Sequence, residues 1–199
     1  MKDSMNIFLL DKNVNINARY HCDKHVVKML LETCQMIGTV LRVSFDISDI
    51  PGQCKSTHVN HPSVKWITND PINKFPYLFH LGRSLSSEYT YRYRRIHKCA
   101  QTLWDIPSQV LRGTSSNSDW LLTLRAIQLY SEHYIHEYTD FSDFPKVMPE
   151  HCIISDDPVE CYRNLYCTEK AYMCKWTGRD KPEWFVPRLI EANNDNNSK

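Results

Sequence analysis

His21-Cys22-Asp23-Lys24-His25-Val26-Val27-Lys28-Met29-Leu30-Leu31-Glu32-Thr33-Cys34-Gln35 is the stretch whose reading decides the architecture. Val26, Val27, Leu30, Leu31 and Cys34 recur at three- and four-residue steps, and Ile37, Val40 and Leu41 extend the series. That period predicts an amphipathic helix over about residues 18–43 with one apolar face. His25, Lys28, Glu32 and Gln35 share the same spacing and form a polar stripe beside that face. A carboxylate one turn from a lysine can hold a substrate cation, steer a proton, or form an ordinary exposed ion pair.

Outward from this helix, the chain continues to read as helical. Only 5 glycines stand against 10 prolines in 199 residues, which favours helices over sheets. Before the helix, Ile7 to Leu10 reads as a short strand or an extended arm. After it, Pro51-Gly52 centres a turn over residues 48–53. A second helical region is expected over about residues 63–98, interrupted near Pro71 and Pro76. Pro107 to Asp119 reads as a polar loop, Trp120 to Tyr138 as a helix, and Phe141 to Asp156 as an extended surface connection. Asp157-Pro158 carries the cap and first-position proline of a last helix. That helix is expected to run to about Trp176 and stop at Gly178. The expected architecture is all-α: a single compact helical domain over residues 1–190 with a short N-terminal extended segment, and a disordered polar tail over residues 191–199.

Composition narrows the function classes. Hydrophobic residues make up 42% and aromatics 12%, which excludes a disordered or collagen-like chain. No apolar run approaches the roughly 20 residues a membrane helix needs, and the apolar patch near the start is too short for a secretory signal. Twenty-four basic residues balance 23 acidic ones, for a formal +1, so any nucleic-acid role must rest on a local patch. Eight cysteines without a C-x-x-C pair read as reduced, buried thiols of a cytoplasmic protein, not as a zinc site.

Four clusters carry possible chemistry. The first is the stripe itself, with Lys24 beside it. The second is His58, Asn60, His61-Pro62, Lys65 and Trp66, in which His61 either caps a helix or joins His58 and an acid (Asp23 or Glu32) at a metal. The third is the run Glu88 to Lys98, where Arg92, Arg94, Arg95, His97 and Lys98 are interleaved with Tyr89, Tyr91 and Tyr93. Guanidinium groups chelate phosphate and tyrosine rings stack on bases, although tyrosine-in, arginine-out is also ordinary helix patterning. The fourth couples Arg163 to the Pro182-Glu183-Trp184-Phe185 ending, where Trp184 either packs the chain end down or acts as a wedge in a distorted duplex.

In order and spacing these landmarks resemble the small helical pyrimidine-dimer DNA glycosylases of the bacteriophage endonuclease V type. They look closer still to viral and bacterial proteins that share the same landmarks. Cys22-Asp23-Lys24-His25 through Glu32 to Val40 is similar to the family's first long helix, with its glutamate seven residues after the histidine. The stretch from His61 through Trp66 to Glu88 and Arg92–His97 resembles its second helical segment, and Cys161 to Phe185 its last helix and Pro-x-Trp-aromatic ending. In that family an N-terminal α-amine attacks C1′ of a damaged nucleotide, the first-helix glutamate stabilises the sugar cation, a base is flipped out, and no metal is required.

The resemblance therefore implies a DNA base-excision glycosylase acting on a damaged or modified pyrimidine, with or without AP-lyase activity. Glu32 is implied as the catalytic carboxylate, with His25 positioning it or the phosphate. The family's processed N-terminal threonine is missing, since the chain begins Met1-Lys2 and a start at Met5 would give Met5-Asn6. Leu31 and Gln35 stand where the family has arginines. A retained terminal amine, Lys24 or Lys28 is then the nucleophile, because lysine beside another cation is activated. His61, Lys65, Arg92, Arg94, Arg95, His97, Lys98, Arg163 and Trp184 are the expected nucleic-acid contacts. DNA is the expected partner, with no membrane, no metal and no cofactor, in a cytoplasmic protein whose likeness extends to viral proteins. Two other readings stay open: a nucleic-acid-binding module of this fold without catalysis, and an enzyme acting on free nucleotides.

Overall fold

A computed structural model describes residues 5–47, 56–113 and 135–188. The expected turn at 48–53, most of the helix expected from Trp120, the chain start and the polar tail lie outside these residues. Within them the chain is helical, and there is no strand. Residues 5–10 form an extended arm, with Ile7, Leu9 and Leu10 fully enclosed. The all-α reading of the sequence is thus what the chain adopts.

Helix α1 (Val14–Tyr20) starts where Asn13 accepts hydrogen bonds from the Asn15 and Ile16 amides. Only His21 and Cys22 separate it from α2 (Asp23–Phe45), which ends at Asp46 in the left-handed conformation. Met29, Leu30, Cys34, Ile37 and Leu41 bury the face that the periodicity marks out, whereas Val27 stays 41% exposed beside the polar stripe. Helix α3 (Pro62–Asn69) has proline in its first turn and His61 as its cap. Helix α4 (Pro71–Tyr93) packs chiefly on α2 and α1. Gly82 sets that approach: a Cβ there would stand 3.2 Å from Thr33 Cγ2 and 3.3 Å from Leu103 Cδ2.

The remaining elements close the core. Helix α5 is Lys98–Gly113, α6 is Ile135–Tyr138 and α7 is Pro158–Cys167, with 3-10 turns at Glu150–Cys152 and Ala171–Met173. Tyr162 and Tyr166 on α7 are fully buried against the arm and α2. Among the described residues no helix is long and apolar enough to cross a membrane.

Several boundaries differ from the sequence reading, each for a physical reason. The chain breaks at Pro71 as expected, but Pro76 lies inside α4, which forgoes one amide bond and continues because both flanking faces are buried. The second helical region does not reach Lys98: Arg94 takes a left-handed conformation and ends α4. Pro107 begins no loop, because α5 runs through it to Gly113. Helix α7 starts as read, with Asp157 Oδ1 accepting the Val159 amide, but stops at Cys167. There Thr168 turns its hydroxyl onto the Asn164 carbonyl and leaves helical geometry, so Cys174 is not on a shared helix face with Cys167. Gly178, at φ 70°, serves a later turn.

Candidate active site

Glu32 lies on the outer edge of α2, its side chain 12% exposed. Two nitrogens face it. Lys28 Nζ is 3.3 Å from Oε1, one turn back on the same helix. The backbone amide of Asn6, on the arm, donates to Oε2 at 3.3 Å. Burial pushes the Glu32 carboxyl above its ordinary range, with the Lys28 ammonium and the Asn6 amide pulling the other way without cancelling it. A carboxyl shifted in this direction is a weaker acid than an exposed glutamate and better matched to proton transfer.

The arm is pinned so that Asn6 keeps this place. Its side-chain Nδ2 donates to the Val147 carbonyl at 3.0 Å, and its Oδ1 accepts from the Ile7 amide at 2.8 Å and from Tyr162 Oη at 3.0 Å. Tyr162 is also the acceptor of the Val147 amide at 3.2 Å. One tyrosine thus joins α7, the arm and the 141–156 connection behind the carboxylate.

His25 does not share the exposed stripe with Lys28 and Glu32. It is 4% exposed, its Nδ1 bonded to Tyr166 Oη and its ring stacked on Phe8 at 4.4 Å and 7°. It belongs to the wall behind Glu32. Lys24 is exposed on the outer face of α2. Cys22, the residue before α2, meets Cys174: the Cys174 thiol holds the Cys22 thiol below its usual value, and His25 adds to this against the effect of burial. Cysteines that look scattered in sequence are here a pair.

The basic run divides between inside and outside. Arg92 is enclosed: its Nε donates to Glu88 Oε1 at 2.7 Å and its two terminal nitrogens to Asp23 Oδ1 and the Arg19 carbonyl, both at 2.9 Å. Arg179 adds a fork on Glu88 at 2.9 and 2.7 Å. Burial alone would raise the Glu88 carboxyl, but Arg179 and Arg92 outweigh it and hold the group below its ordinary value. His97 is also turned inward, its Nδ1 accepting the Cys99 amide at 3.1 Å at the start of α5. Arg94, Arg95 and Lys98 are exposed, as is Lys65.

The expected contacts elsewhere are largely engaged within the fold. His61 Nδ1 accepts the Ser63 amide at 3.1 Å, which is the capping role, and Asp23 is taken by Arg92 and the Thr177 amide. A His58/His61/Asp23 metal group therefore does not assemble. Arg163 donates to the Leu10 carbonyl at 2.8 Å and to Asp11 at 3.1 Å, and lies over the Tyr20 and Trp184 rings. Trp184 packs edge-on against Tyr20 and Tyr166, closing the chain end over α1 and α7. Sequence reasoning missed Asn6, Phe8, Tyr162 and Tyr166 as the frame of the site. The polar atoms of Asn6, Tyr162 and Tyr166 meet partners far along the chain, and Phe8 stacks on His25, so spacing gave no signal.

Residues 5–101 match the family described as pyrimidine dimer DNA glycosylase. This segment is similar to that family. The matched residues run from the arm through α1–α4 into α5, and so include Asn6, Lys28, Glu32 and the Glu88–Arg92 pair. A search of curated proteins and a search of solved structures give no match. The resemblance read from the sequence and the family match agree on a DNA glycosylase.

Proposed function

We propose that the protein is a DNA base-excision glycosylase for a damaged or modified pyrimidine, with Glu32 as its catalytic carboxylate. The observation that carries this is the placement of a desolvated carboxylate between Lys28 Nζ and the Asn6 nitrogen, each at 3.3 Å. An amine beside a carboxylate is the pairing that imine chemistry at C1′ needs. The Lys28 ammonium passes a proton to Glu32, the freed amine adds to C1′, and the bond from C1′ to the base breaks with its electron pair leaving on the base. A proton from Glu32, or relayed by it, neutralises the departing base. The ring oxygen then takes a proton as the sugar opens, leaving an imine between Nζ and C1′. Loss of a C2′ proton from that imine then expels the 3′ phosphate, which leaves with the C3′–O electron pair; this is the AP-lyase step. Until the imine forms, the ionised carboxylate stabilises positive charge on the sugar. His25 positions α2 and Glu32 from behind, and Lys24, Arg94, Arg95 and Lys98 supply exposed cations for phosphate.

The Asn6 contact favours a second nucleophile within the same reaction. A chain whose first residue is Asn6 has its α-amine, instead of an amide, at the same 3.3 Å from Glu32. Borohydride reduction during incubation with duplexes carrying pyrimidine lesions tests both. A covalent protein–DNA adduct is expected, and peptide mapping assigns it to Lys28 or to the terminal amine. Base release without an adduct would replace the imine by direct water attack. No base release from any lesion, with salt-sensitive duplex binding retained, would leave a binding module. Competition by mononucleotides, but not by duplex, would move the activity to free nucleotides.

A further inference from the structure

On the far side of the 141–156 connection, three metal-ligating side chains converge outside the site just described. His151 Nε2 and Glu169 Oε1 are 2.8 Å apart, and together with Cys152 Sγ the three donor atoms lie within 4.8 Å of one another. His151 and Cys152 come from the 3-10 turn Glu150–Cys152, and Glu169 follows the end of α7. We infer that His151, Cys152 and Glu169 form a binding site for a borderline divalent transition ion, zinc being the natural occupant.

The scaffold behind these donors is fixed. The Cys152 amide donates to the Pro149 carbonyl at 2.9 Å, and Asn164 Nδ2 donates to the Cys152 carbonyl at 3.3 Å. Thr168, the neighbour of Glu169, is bonded through its hydroxyl to the Asn164 carbonyl at 2.8 Å. Asn164 thereby ties the turn that carries two ligands to the helix end that carries the third. Cys152 is fully buried, and its Sγ faces the Thr168 hydroxyl at 3.8 Å. Cys161 is engaged elsewhere, donating to the Ser155 carbonyl at 3.2 Å. It is not a fourth ligand.

The donor set selects the ion. One thiolate, one imidazole and one carboxylate match zinc, which takes sulfur at about 2.3 Å and nitrogen or oxygen at about 2.0–2.2 Å. Magnesium and calcium prefer all-oxygen sites. Closing the triangle requires the exposed His151 ring and the partly exposed Glu169 carboxylate to turn slightly around the ion, while buried Cys152 stays still. Three protein ligands on one side leave the fourth, solvent-facing position to water. Binding forms one metal–sulfur bond and releases one thiol proton to solvent.

Cobalt(II) titration of the reduced full chain tests the site with a readout independent of any activity. One equivalent per chain is expected, with a thiolate-to-cobalt charge-transfer band in the near ultraviolet and the visible bands of four-coordinate cobalt. Zinc should displace both. Cys152→Ser should abolish the charge-transfer band. His151→Ala and Glu169→Gln should each weaken binding at least about tenfold, while His58→Ala, at an exposed histidine elsewhere, should leave it unchanged. His151 and Glu169 have exposed or partly exposed side chains, so their variants decide the matter even if the serine variant fails to fold. Absence of the band at saturating cobalt, its persistence in Cys152→Ser, or native affinity in both other variants would overturn the site.

Discussion

Lys28 Nζ stands 3.3 Å from Glu32 Oε1, yet the ion pair does not bring the Glu32 carboxyl down to an ordinary acidity. Desolvation wins. A pair on an open helix face would settle into a plain salt bridge contributing under about 1 kcal/mol. Here the arm covers the carboxylate from the other side, and the fold bears a cost at a position where function can use it.

Glu32→Gln should separate activity from stability. A carboxyl whose folded pKa is raised contributes stability fully present below its unfolded value, near 4.5, and lost as pH rises through the folded value. Where the carboxyl is ionised the native chain has lost that contribution, and the neutral amide does not suffer the same desolvation. Thermal melts at pH 7 should therefore show the variant at least as stable as the native chain. Base release should fall by about a hundredfold or more, the range for removing a positioned acid or base. Full activity in the variant sinks the Glu32 assignment.

The Glu88–Arg92–Arg179 knot predicts the opposite balance. Arg92 has no exposed side-chain surface, and its charge is met by Glu88 and Asp23. Glu88→Ala leaves a buried guanidinium short of its counter-charge, which should cost about 3–5 kcal/mol in a denaturant titration. Because the Glu88 carboxyl is held below its ordinary value, its contribution is present above about pH 4.5 and disappears as pH falls through the folded value. A destabilisation of the same size at pH 3 and pH 7 would contradict this.

His21 supplies the second acid-sensitive element. Its Nδ1 lies 2.7 Å from the Asn17 carbonyl, so that nitrogen carries the proton and the buried ring is neutral. Burial lowers its pKa to about 3, the Asn17 bond opposing and His25 and Arg92 adding to the drop. A base lowered on folding binds more protons when unfolded, so its stabilising effect is complete above 6.5 and is lost between 6.5 and about 3. Replacing it with glutamine, which can still donate to Asn17, should flatten the stability profile across that interval. Stability curves of unchanged slope would refute the neutral, buried assignment.

These cases show what could be read in the sequence. The α2 period, the His61 cap with Pro62 after it, and the Asp157-Pro158 start are local patterns, set by neighbours within one turn, and each appears in the fold. His25 and Arg92 depend on distant partners. His25 is bonded to Tyr166, 141 positions away, and Arg92 to Asp23, 69 positions away. A histidine on a polar stripe and an arginine in a basic run look solvent-facing until those partners close over them. Pro76 and Pro107 mislead in the other direction: α4 continues through Pro76, where burial of the surrounding helix outweighs one missing amide bond, and α5 continues through Pro107.

The divided basic run gives the last prediction. Arg94, Arg95 and Lys98 project outward at the junction of α4 and α5, while Arg92 and His97, within the same seven residues, are held inside. Alanine at Arg94, Arg95 and Lys98 together should leave the far-ultraviolet spectrum and melting temperature near native values, as exposed substitutions usually do. Duplex affinity should drop, and the slope of log affinity against log salt should become shallower by about 0.9 for each phosphate contact removed. Arg92→Ala should act through the fold instead: it removes the enclosed guanidinium that joins Glu88 to Asp23, lowering the melting temperature before any change in salt slope is seen. If the triple variant binds duplex with native affinity and slope, the phosphate surface lies elsewhere, and Lys24 and Lys65 become the cations to replace next.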